Sequence, residues 1–125
     1  MSLTGKTAFI TGGGKNIGRC IALNLAASGA NVVLNGASDQ SACEATAKEV
    51  RDAGVEAMVL IGDVGDSDTV SGMAKLALDK FGTIDILVNN AAIRPSKPFL
   101  EMSDEDWHRV LDVDLNSAFY TARAF

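Results

Sequence analysis

Four short, almost wholly apolar runs, separated by stretches with helical periodicity, constrain this chain more than any other feature. The runs are Thr7–Thr11, Asn31–Asn35, Glu56–Ile61 and Asp85–Asn89. Strands that do not alternate apolar with polar residues are buried on both faces, as in parallel sheets. Between the first two runs, Ile17, Ile21 and Leu25 recur at helical spacing with Ala22 and Ala26 beside them, and Ser28-Gly29 closes the helix. Ala42, Ala45, Thr46, Val50 and Ala53 mark the core face of a second helix, ended by Gly54. A third opens at Asp66-Ser67-Asp68 and presents Val70, Met73, Ala74, Ala77 and Phe81. After the fourth run, a loop holding Pro95 and Pro98 leads to Ser103-Asp104-Glu105-Asp106, an acid-rich start suited to the positive end of a helix dipole. The last helix carries Trp107, Val110, Leu111 and Leu115 and is still running at Phe125. Strand–helix–strand crossovers of this length predict a doubly wound parallel sheet with helices on both faces.

Composition narrows what such a sheet can serve. A chain of 125 residues, 47% hydrophobic and 22% charged, reads as globular. A compact domain of this size buries about two-thirds of its unfolded surface. Eleven basic against sixteen acidic residues leave a net charge of −5, which argues against a nucleic-acid or anionic-membrane partner. No apolar run approaches the roughly 18 residues of a spanning helix, and the first residues lead straight into a strand. Cys20 and Cys43 stand in no metal-ligand spacing and read as two reduced, structural thiols of a cytoplasmic protein. No metal site is expected: of Asp63, Asp66 and Asp68, two cap a helix.

In sheets of this kind ligands sit beyond the carboxyl ends of the strands, so the first strand-to-helix turn matters most. It reads Thr11-Gly12-Gly13-Gly14-Lys15-Asn16-Ile17-Gly18. Glycines allow a sharp turn and a close approach of backbone to a pyrophosphate, whose charge the helix N-terminus favours. A strict G-x-G-x-x-G pattern fails, because Ile17 stands where the third glycine would fall. The P-loop pattern fails too, since Asn16 follows Gly14-Lys15 in place of Ser or Thr.

With these motifs in place, the chain resembles the short-chain dehydrogenases/reductases over its whole length. Thr11-Gly12, Asn16-Ile17 and Gly18 resemble that family's T-G-x-x-x-G-x-G turn, and Asn89-Asn90-Ala91-Ala92 its N-N-A-G. Asp63-Val64 matches the family's adenine-side Asp, and Val113-Asp114-Leu115 its V-N-L helix motif. The resemblance implies a Rossmann-like sheet in the order 3-2-1-4, with residues 1–125 forming a dinucleotide-binding domain that stops short at its C-terminal end. It further implies a nicotinamide cofactor and hydride transfer to or from a small carbonyl or alcohol substrate. The cofactor-binding residues carried over are Gly12, Gly14, Lys15, Asn16, Ile17, Gly18, Ser38, Asp63, Val64, Asn90, Ala91 and Ala92. A homo-oligomer, dimeric or tetrameric, is implied as well, through the helix that starts near Ser103.

Three departures from the pattern carry consequences. Asn16 replaces the middle glycine, and Asn is the side chain best able to take a left-handed backbone, at a cost on the order of 1 kcal/mol. Ala92 replaces the last glycine of N-N-A-G and adds one methyl beside the nicotinamide side. Asp114 stands at the family's helix Asn, whose backbone carbonyl holds a water of the proton relay, and it is the one catalytic candidate in the chain. By helical spacing it shares the apolar face of Trp107, Val110 and Leu111, where a carboxylate needs a partner or a raised pKa. A partly solvated edge position explains it equally well.

The end of the second strand has no acid until Asp39, whereas a carboxylate there would grip ribose hydroxyls and repel a 2′-phosphate. Lys15 resembles the basic residue that many NADP(H)-dependent members place near that phosphate, and Ser38 adds a hydroxyl. NADP(H) is therefore the expected cofactor, with NAD(H) the alternative. The family's proton donor is a Tyr followed four residues later by Lys, with a nearby Ser. The single tyrosine, Tyr120, has Ala124 in the lysine position and reads as a packing residue. The single histidine, His108, reads as a surface residue, and Arg94 and Lys97 as solvated loop charges. The chain alone is thus expected to bind cofactor without turnover. A non-catalytic nucleotide-binding or dimerising module is the alternative.

Overall fold

The computed structural model describes residues 2–125. Strands β1 (Thr7–Ile10), β2 (Asn31–Gly36), β3 (Ala57–Ile61) and β4 (Ile86–Val88) form one parallel sheet in the order β3-β2-β1-β4, as expected from the sequence. Helices α1 (Asn16–Ala27), α2 (Gln40–Asp52) and α3 (Ser67–Phe81) are the crossovers. A 3-10 turn at Phe99–Glu101 precedes α4 (Asp104–Leu111), and a π-helical turn at Asp112–Asn116 joins α4 to α5 (Ser117–Ala124).

The apolar runs are continuous because successive side chains feed two different cores. Phe9, Val33 and Leu60 pack on one face with Val70, Met73 and Ala77 of α3 and Val113 of the π turn. Ile10, Val32 and Leu34 pack on the other with Ala22 and Ala26 of α1 and Ala47 and Val50 of α2. This two-sided burial is the physical content of a non-alternating strand.

The helix faces need correction in three places. In α1 the buried line is Gly18, Ala22 and Ala26, while Ile17 is 70% exposed and Ile21 and Leu25 are half-buried. Small residues let the helix lie close on the sheet, which pushes the larger aliphatics to its flanks. In α2 the buried residues are Cys43, Thr46, Ala47 and Val50, and Ala45 and Ala53 face solvent. At the C-terminal end, Val113, Ser117 and Thr121 are buried, and Trp107 (53%) and Leu115 (62%) are exposed. A π turn adds a residue to the helical cycle and so rotates everything after it, which uniform periodicity does not anticipate.

Three helices carry their own N-terminal caps. Asp39 accepts from the Ala42 N–H at 3.0 Å, and Asp66 from the Thr69 N–H at 3.0 Å. Ser103 and Asp106 form a reciprocal capping box. Each such cap contributes about 0.5–2 kcal/mol. Helix α1, by contrast, has no side-chain cap.

Candidate functional site

The chain's main cleft, about 390 Å³, lies beyond the carboxyl ends of all four strands. Every cofactor residue named from the sequence lines it: Gly12, Gly14, Lys15, Asn16, Ile17, Gly18, Ser38, Asp63, Val64, Asn90, Ala91 and Ala92. Ligands of open parallel sheets bind at this position, where the chain turns from one side of β1 to the other.

The glycine turn is fixed by its lack of side chains. Gly12 has φ +64°, and a Cβ on Gly18 would lie 2.1 Å from the Gly12 carbonyl oxygen. Asn16, the expected stand-in for glycine, has φ +51° and is the one non-glycine residue with positive φ among those described. The turn is anchored from three sides. Gly13 N–H donates to the Asn35 carbonyl at 2.9 Å, Thr46 Oγ1 donates to the Gly14 carbonyl at 2.9 Å, and Asn90 Nδ2 donates to the Thr11 and Gly12 carbonyls at 3.0 Å. Thr11 Oγ1 in turn accepts from the Asn90 and Ala91 N–H groups, both at 2.9 Å. Asn90 therefore lines the cleft with its amide hydrogens committed to the turn. The uncapped N–H groups of α1 open directly above this rigid backbone.

At the β2 end, Asn35 is buried and its amide donates to the Leu60 and Gly62 carbonyls, so it shapes the floor. Lys15 is not a free loop charge: its Nζ lies 3.3 Å from Asp39 Oδ2, with both side chains exposed. The Ala42 N–H first, and then Lys15, hold the Asp39 carboxyl below its usual range. Cys43 also lines the cleft, packed beneath Gly14 and Gly36, and burial pushes its thiol pKa up. Cys20 is exposed, which corrects its reading as a structural thiol; both are free.

At the β3 end, Asp63 Oδ1 accepts from the Gly65 N–H at 2.8 Å and Oδ2 from Arg109 Nη1 at 2.7 Å. Sequence reasoning missed Arg109, grouping it with the exposed residues around His108. Its spacing one turn before the buried Val113 was the available signal. Asp114 does not line the cleft. It lies in the π turn, exposed, with Oδ1 accepting from the Ile93 N–H at 2.8 Å. Its placement on an apolar face is corrected: the partner is a backbone donor, and the carboxylate ties the β4 exit to the helix. Tyr120 is half-buried against the core, as expected of a packing residue, and His108 is exposed. Arg94 is exposed, while Lys97 pairs with Asp106 at 2.5 Å.

Among the described residues no three His, Cys, Asp or Glu side chains gather into a metal-binding group, and no helix is long and apolar enough to cross a membrane.

Sheet order, glycine turn and cleft define a Rossmann-like α/β domain with its ligand cleft at the switch in strand order. A family model described as short chain dehydrogenase matches residues 6–125, and the chain belongs to that family. It is 40% identical over 123 residues to a 3-oxoacyl-[acyl-carrier-protein] reductase of Synechocystis sp., covering 98% of this chain and 50% of that one. A short chain dehydrogenase from Burkholderia cenocepacia, solved with NADP, superposes with TM-score 0.94 at 30% identity, over 99% of this chain and 51% of the other. An NAD+-bound xylitol dehydrogenase does so with TM-score 0.90 at 34% identity, over 99% and 48%. The chain thus spans about half the length of the relatives it matches.

Proposed function

We propose that this chain forms the cofactor-binding part of a nicotinamide-dependent oxidoreductase acting on a small carbonyl or alcohol. The observation that carries this reading is the glycine turn. Its backbone is held open by Gly12 and Gly18, where any side chain would fill the cradle, at the one helix whose N-terminal donors lack a cap. Such a site suits a pyrophosphate, through directed N–H groups and the helix dipole. When bound, the cofactor supplies a hydride donor or acceptor. Ala91 and Ala92 border the far end of the cleft, where the reacting ring belongs, and Ile93 follows, fixed by Asp114.

NADP(H) is the favoured form, with NAD(H) second. The Lys15–Asp39 pair is exposed, and such pairs are worth only about 0–1 kcal/mol. Lys15 is therefore available to a 2′-phosphate, with Ser38 beside it. Asp39 on the same rim opposes that phosphate and moderates the preference. Titration with NADPH and NADH tests the reading: tighter NADPH binding supports it, tighter NADH binding reverses the preference, and no binding of either removes the function. The same 125 residues are proposed to lack turnover on their own, because they contain no Tyr-x-x-x-Lys. Reduction of a carbonyl by the purified chain with NADPH would overturn that statement and also the alternative of a non-catalytic module.

The outer face of α4–α5 supports self-association as a dimer or tetramer, since Trp107, Leu115 and Phe119 stand exposed along it. Two free thiols fit a reducing, cytoplasmic setting.

A further inference from the structure

We propose that Arg109 is a positioning residue of the cleft: seated over Gly65, its guanidinium fixes the Asp63 carboxylate so that the cleft selects adenine over a 6-oxo purine. The inference rests on the nucleotide-binding reading above and extends it to the recognition of the base.

The strand order dictates where the base lies. With the pyrophosphate on the α1 N-terminus beyond β1 and the ribose at the β2 end, the base falls beyond β3, against Asp63 and Val64. An ionised carboxylate only accepts hydrogen bonds. The 6-amino group of adenine donates to it, while the 6-carbonyl of hypoxanthine meets it lone pair against lone pair. Discrimination of this kind demands a fixed acceptor, and Asp63 is held at both oxygens, by Gly65 N–H at 2.8 Å and Arg109 Nη1 at 2.7 Å. Each oxygen keeps a further lone pair for a ligand.

The seat of the guanidinium is built for it. A Cβ on Gly65 would stand 2.9 Å from Arg109 Nη1 and 3.1 Å from Asp63 Oδ1, so the missing side chain admits the contact. Arg109 lies on α4, not on the strand ends that otherwise build the cleft, and Val113 one turn later lines the same wall. The side chains of the pair are 48% and 41% exposed, and ion pairs so placed add little to stability. What the pair supplies is orientation.

Calorimetric titration of the 125-residue chain with NADPH and with its hypoxanthine counterpart tests the proposal. The unaltered chain should favour adenine by roughly tenfold or more, as a hydrogen bond to a charged group does. In Arg109→Met the ratio should fall to about twofold with the melting temperature little changed, and Arg109→Lys should restore part of it. A ratio unchanged in Arg109→Met, or near one in the unaltered chain, overturns the proposal and leaves nucleotide binding standing. Failure of the unaltered chain to bind either dinucleotide overturns both. If Arg109→Met does not fold, Gly65→Ala, which displaces the guanidinium without removing it, reads the same ratio.

Discussion

Strands β2 and β4 are about equally apolar in sequence, yet they meet different fates. Val32, Val33 and Leu34 are fully buried, flanked by β1 and β3 and covered by helices on both faces. Ile86, Leu87 and Val88 pair with β1 alone and are only half-buried. Helices α1 and α4 repeat the contrast: α1 buries a line of small residues on the sheet, whereas no residue of α4 is buried and Trp107 faces outward. Apolarity in sequence states what a segment needs covered, and the neighbouring elements decide whether it is. The cleft spans both regions, but its rigid parts belong to the inner one, where the glycine turn is tied to β2, α2 and β4 at once.

The largest expected effect lies at the inner strands. Leu34→Ala should cost about 2–5 kcal/mol in urea denaturation, as fully buried leucines do. Leu87→Ala on β4 should cost clearly less, and equal losses would erase the contrast. Glycines sharpen it next. Gly18→Ala drives a methyl against the Gly12 carbonyl and should abolish detectable NADPH binding, whereas Gly72→Ala, with open space around it in α3, should stabilise the chain by about 0.5–1 kcal/mol. At Asn16, the left-handed φ predicts a cost of about 1 kcal/mol for Asn16→Ala and none for Asn16→Gly.

The smallest effect lies at the outer helix. Lys97 first, and then the Ser103 N–H, hold the Asp106 carboxyl down to about 2. Because this folded value is depressed, its stabilisation is present above the ordinary carboxylate range and is lost as pH falls through about 2. The carboxyl-carbon resonance of Asp106 should titrate near that value and move upward in Lys97→Met. A midpoint near 4, the ordinary value for Asp, would show that the capping pair does not form.

Much of this was legible in the sequence because it depends on local chemistry. Continuous apolar runs, glycine stops and acidic helix starts specify a parallel sheet with crossovers, and Asn16 could be read as a glycine substitute from its backbone tolerance alone. What stayed hidden depends on distance or on broken periodicity. The π turn rotates Leu115 outward and Ser117 and Thr121 inward, and no period of 3.6 residues anticipates it. Arg109 reaches Asp63 across 46 positions of chain, a pairing that only the packing of α4 against the β3 loop creates. Asp39 likewise reads as a cap until the fold brings Lys15 to its other oxygen.

The most direct measurement is a calorimetric titration of the 125-residue chain with NADPH, repeated on Gly18→Ala. Saturable binding at one site, lost in Gly18→Ala while both chains melt cooperatively, is the predicted result. No binding by the unaltered chain, or binding that survives the added methyl, would contradict the assignment of the glycine turn as the cofactor cradle.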